Sequence, residues 1–166
     1  MLLNRLIQQV SLKISRIYSC QNWQIGAILT TLTLPVFFCT ASEAQSSKTV
    51  KAKEAEGKQY VISLNKAQQA YYAQNTGFTS SIANLGLGIK PESTNYKYSI
   101  STGNKAVFNY GVSQQPNLKS FVGGVFLIGN TTKTILCQTA AASTTKPATP
   151  TNKNGTLACA AGTAKI

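Results

Sequence analysis

The chain has no histidine and no aspartate. Its 166 residues carry 16 Lys and Arg against 4 acidic residues, for a formal net charge of +12. The acids are Glu43, Glu54, Glu56 and Glu92. These gaps exclude much chemistry. Without His or Asp there is no Ser-His-Asp or Cys-His nucleophile system, so no catalytic residue is expected. A carboxylate pair would have to come from Glu54, Glu56 or Glu92, and Glu54 and Glu56, two apart on a helix, point in different directions. A His-bearing zinc site is excluded, and the four cysteines lack paired CxxC spacing, so no metal or cofactor is expected. The expectation is a protein that is not an enzyme.

Acidic residues are also missing from the first forty-two positions, which carry only Arg5, Lys13 and Arg16 as charged side chains. A mostly apolar run from Ile25 to Cys39 follows, and then the small residues Thr40, Ala41, Ser42 and, past Glu43, Ala44. Positive flank, apolar core and small-residue exit form the layout of a secretory signal, with cleavage expected between Ala44 and Gln45. The core is short against the roughly 20 residues of a membrane span, and Pro35 interrupts it. The competing reading is an uncleaved N-terminal membrane anchor, and an amphipathic transit peptide built on Leu3, Ile7, Val10, Ile14 and Ile17 is a third. Under the first two readings everything after Ala44 is exported, to the periplasm, cell surface or medium, or held at the inner membrane by residues 1–44. Cys39, at the end of the core, is a candidate lipidation site, although Phe37 and Phe38 stand where such sites carry small residues.

Cys137 and Cys159 are the only cysteines beyond the targeting region. In an oxidising compartment they most simply form one disulfide, whereas two free thiols would need a reducing one. The exported part, without Arg5, Lys13, Arg16 and Glu43, holds 13 lysines and 3 glutamates, a net of +10. Such a surface attracts DNA or anionic polysaccharide, with Lys48, Lys51, Lys53 and Lys58 as candidate contacts; the plainer reading is a solubilising lysine coat. No Arg follows Arg16, which removes bidentate phosphate grips.

Residues 45–166 read as one globular domain. Strong helix formers run over about 48–76, with Val50, Gly57, Val61, Leu64, Gln68 and Tyr71 on one side. The charged first half offers little apolar surface and reads as a solvated, partly frayed lead-in, and Gly77 is expected to cap the helix. Residues 77–94 form a connector pinned by Ile82, Leu85, Leu87 and Ile89. Over 95–138 the pattern turns to strands. Tyr96, Tyr98 and Ile100 alternate with polar residues, as do Ala106, Phe108, Tyr110 and Val112; Phe121–Ile128 suits a central strand buried on both faces, and Lys133–Gln138 a fourth. The tail from Thr139 to Ala158 would be disordered unaided, and the Cys137–Cys159 bond would close it into a loop over 137–159, beside the sheet. The fold class expected is α+β, one long helix packed on a four-stranded antiparallel meander.

This arrangement resembles the globular part of type IV pilins and pseudopilins, and most closely the type IV pilin-like G and H family. The residues carrying the resemblance are Glu56-Gly57-Lys58-Gln59-Tyr60-Val61, Leu64-Asn65-Lys66-Ala67-Gln68-Gln69-Ala70-Tyr71-Tyr72, Gly77-Phe78, Leu85-Gly86-Leu87-Gly88-Ile89 and Asn95-Tyr96-Lys97-Tyr98-Ser99-Ile100. It implies a helix spine docked on a sheet and a surface loop closed by Cys137 and Cys159. It further implies a structural or accessory role, with other pilin or secretion-system subunits as partners. The pilin cleavage motif and the acidic residue that follows it are absent around Gln24-Ile25-Gly26, so the resemblance covers the head and not the membrane stem.

Overall fold

The computed structural model describes residues 41–88 and 90–166. Cys39 and the rest of the expected export segment lie outside the described residues. Helix α1 spans Ala41–Asn75, starting before the expected 48. The backbone at Ala44 and Gln45 is therefore helical. No helix among the described residues is long and apolar enough to cross a membrane.

The helix ends at Asn75 rather than on a glycine. Thr76, with φ 55°, takes the left-handed cap position expected for Gly77, and its N–H donates to the Tyr72 carbonyl at 2.8 Å. A β-branched residue is uncommon there. The connector then makes one 3-10 turn, Ala83–Leu85.

Strands β1 (Tyr96–Thr102), β2 (Ala106–Ser113), β3 (Phe121–Ile128) and β4 (Thr131–Thr139) follow as an antiparallel meander. The expected helix-on-sheet α+β architecture is present, with β3 central and its first six residues buried. The C-terminal tail is not a bare loop. Its β5 (Thr151–Lys153) and β6 (Thr156–Ala158) form a hairpin around Asn154-Gly155, both at positive φ. Asn-Gly is the strongest short hairpin signal, and it stood in the sequence within a stretch read only by composition. A last strand, β7 (Thr163–Lys165), pairs with β4 and makes the sheet five-stranded, in the order β1-β2-β3-β4-β7. Its three residues are too few to show alternation, so the meander read as four strands.

Strict alternation gives the sheet two buried faces. On one, Tyr96, Tyr98, Leu118 and Phe121 pack with Val61 of the helix, and Val50, Tyr60 and Leu136 join the same cluster. On the other, Ala106, Tyr110, Val122, Phe126, Ile135 and Cys137 form a second cluster covered by Leu157 and Cys159. The sheet is thus a middle layer between helix and C-terminal tail.

Candidate interaction surface

The helix meets the sheet through a dry stripe interrupted by amides. Val61 and Leu64 are fully buried, each contributing about 1.5–3 kcal/mol. Beside them on the helix three amide side chains are tied to the rest of the head. Gln68, fully buried, donates to the Thr79 carbonyl at 2.6 Å and accepts from the Thr79 N–H at 3.2 Å. Asn65 accepts from Asn109 Nδ2 at 2.8 Å and donates to the Ile135 carbonyl at 3.3 Å. Gln69 donates to Thr132 Oγ1 at 3.0 Å. Two glycines make room for this approach: a Cβ on Gly57 would stand 2.6 Å from the Tyr96 ring, and one on Gly123 would overlap the Asn65 amide.

The carboxylates are spent on the same interface. Glu54 accepts the Lys119 N–H at 3.0 Å, and Glu56 accepts from Ser93 Oγ at 2.8 Å and Asn95 Nδ2 at 2.9 Å. The charged first half of the helix is therefore no frayed lead-in; from Val50 onward it is fastened to the head. Its two acids do diverge, toward the β2–β3 loop and the segment before β1 respectively, and they form no pair. Glu92 is exposed, opposite Lys97 in a β-bridge. Among the described residues no group of three His, Cys, Asp or Glu side chains could hold a metal ion.

The tyrosines are committed too. Tyr60 stacks on Tyr98, centroids 3.7 Å apart. Tyr96 donates from its hydroxyl to the Lys119 carbonyl at 3.0 Å. The Tyr98 hydroxyl is buried without a hydrogen-bond partner among the described residues. Burial pushes the Tyr96 and Tyr98 phenols well above the ordinary tyrosine value, with Glu54 and Glu56 adding to the shift at Tyr96 and Glu56 at Tyr98. The Ser93 side chain opposes the shift at Tyr98 without reaching good hydrogen-bond geometry. The Tyr96 and Tyr98 rings are core and offer no stacking platform to a nucleic acid base, while Tyr60 is half-buried.

Cys137 and Cys159 are joined, with Cα atoms 5.8 Å apart. The bond ties the tail to β4, across the sheet from the helix. There Lys146 Nζ lies 3.9 Å from the Tyr110 ring centroid and the Tyr110 hydroxyl meets Thr149 Oγ1 at 3.1 Å. Of the candidate polymer contacts, Lys48 and Lys51 are exposed and Lys53 and Lys58 half-buried. At about 100° per residue Lys48, Lys51 and Lys58 share one flank of the helix while Lys53 projects from another, so the structure does not gather all four.

The model of the type IV pilin-like G and H family matches residues 54–160, which take in the docked helix, the meander and the disulfide. The chain belongs to the type IV pilin-like G and H family. It is thus a protein of pilin or pseudopilin type. Comparison with curated proteins and with solved structures gives no match. The match begins at Glu54, whose carboxylate grips the head, and ends one residue beyond Cys159; Val50 and strand β7, which also pack on the sheet or pair with it, lie outside it.

Proposed function

We propose that this chain is a non-enzymatic, exported pilin-like protein, an accessory or minor subunit acting through contacts with other pilin or secretion-system subunits in the cell envelope. The observation that carries this reading is the family match over residues 54–160. It is supported by the use of Glu54, Glu56 and the buried tyrosines in fastening the helix to the head. On this reading residues 1–44 are an export signal, cleaved between Ala44 and Gln45, or an uncleaved inner-membrane anchor, and 45–166 form the head. The lysine excess supports a second reading, a secreted module for DNA or polysaccharide, with Lys48, Lys51, Lys53 and Lys58 in contact.

Affinity capture from cell envelopes, with the captured proteins identified by mass spectrometry, separates the two. The first reading expects pilin or pseudopilin subunits and only weak retention on DNA or acidic polysaccharide. Steeply salt-dependent polymer binding that disappears when the four lysines are neutralised, with no such subunits captured, would establish the second instead.

A further inference from the structure

One edge of the sheet is only part covered. β7 pairs with β4 at Cys137, Gln138 and Thr139, and no other strand among the described residues lies outside β4. Thr131–Leu136 therefore pairs on its inner side with β3 alone. On the outer side, Ile166 N–H donates to the Leu136 carbonyl at 3.2 Å and Ala140 N–H to the Gly162 carbonyl at 3.0 Å. In an antiparallel strand the outward backbone groups recur at every second residue, so Thr134 and Thr132 turn theirs to the same side, where the Thr132 carbonyl is already met by the Gln69 amide.

Helix α1 runs beside this edge. Lys58, Ile62, Lys66 and Gln69 follow one another at four-, four- and three-residue steps and form a single stripe. Gln69 Nε2 reaches the Thr132 carbonyl at 3.4 Å, a side-chain amide standing where a strand's N–H would come. Between stripe and edge lies an open cleft of about 350 Å³, closed at one end by Ile166, an exposed large apolar residue. Both charged side chains on the helical stripe, Lys58 and Lys66, are cationic, and no acidic side chain among the described residues lines the cleft.

We propose that this groove accepts an extended, acidic segment of a partner protein. The segment adds to the outer edge of β4 at Thr134, beside the point where Gln69 covers Thr132, and sets its carboxylates against Lys58 and Lys66. The inference rests on the proposed role in protein–protein contact and names the chemistry of the partner. The helical stripe from Lys58 to Gln69 is about 16 Å long, room for about five extended residues. Edge-strand addition supplies main-chain hydrogen bonds, and the flanking charges select the sequence. A second copy of this chain is a poor occupant, because 16 basic residues face only 4 acids and like copies repel.

The test uses the ¹⁵N-labelled full chain and a blocked hexapeptide alternating glutamate and valine. The expected result is a shift of the Thr132 and Thr134 amide resonances, with slowed hydrogen exchange at Thr134. Joint reversal of Lys58→Glu and Lys66→Glu is expected to weaken the peptide at least tenfold. Thr134→Pro should abolish binding while leaving resonances elsewhere in place, since that N–H points out of the sheet and proline is tolerated on an open edge. Equal binding of the peptide by Thr134→Pro, equal binding of a lysine–valine peptide, or no shift at Thr134 would overturn the proposal. So would a short DNA duplex that shifts Lys58 and Lys66 and excludes the peptide without affecting Thr134. Capture of pilin subunits by the charge-reversed variant as well as by the native chain would overturn the groove and leave the proposed function standing.

Discussion

Single side chains hold the helix at its working distance. Gly57 is required because the Tyr96 ring occupies the space of a Cβ, 2.6 Å away. Gly57→Ala is expected to lower unfolding free energy by about 1–3 kcal/mol in urea denaturation, the usual cost of overpacking; an unchanged midpoint would mean that the ring is free to move. The paired phenols give a pH signature. Below about pH 10, the unfolded tyrosine value, both folded and unfolded chains keep their phenols protonated and the shifts have no effect. Above it the unfolded chain ionises while Tyr96 and Tyr98, their pKa values raised by burial, do not, so stability falls as pH rises. Tyr98→Phe removes one of these groups and deletes a hydroxyl with no hydrogen-bond partner among the described residues. It should leave the melting temperature at pH 7 nearly unchanged and flatten the alkaline decline. A large loss at pH 7 would show that the hydroxyl has a partner.

Among the elements, legibility in the sequence followed period and length. The strands Tyr96–Thr102 and Ala106–Ser113 alternate over seven or eight residues, and the apolar run Phe121–Ile128 could only be central. β7 and the β5–β6 hairpin have three residues per strand and an exposed, polar composition, so no face is readable in them. The helix was legible as a helix, and its spacing put Gln68 on the inward side with Val61 and Leu64, but the rest of its grip was not legible. Asn65, Gln69, Glu54 and Glu56 are polar by type, and only the facing Asn109, Thr132, Lys119 and Ser93 show why they turn inward. Left-handed Thr76 could not be foreseen beside Gly77, the better residue for that role. The disulfide fastens the least regular element. Closing a loop of 22-residue separation is worth about 3 kcal/mol in the chain-entropy model. Reduction, or a double Cys137→Ala and Cys159→Ala variant, should lower stability by about that amount and speed hydrogen exchange first in the tail and β7. Uniform acceleration across β1–β3 would show that the tail is integral to the whole sheet.

At the scale of the whole molecule, the described residues form a pilin-type head whose two sheet faces are already used. The helix covers one and the disulfide-held tail the other. Among the described residues the outer flank of the helix and the sheet edges are left uncovered, and the proposed contact role would be exercised there. The most direct measurement of that role is photo-cross-linking in intact cells from an unnatural residue placed at exposed Lys66, with adducts identified by mass spectrometry. The expected result is a small set of discrete adducts with pilin or pseudopilin subunits, lost when the head is unfolded by removal of its disulfide and Gly57. Adducts confined to nucleic acid or polysaccharide, with no pilin-type protein among them, would contradict the account.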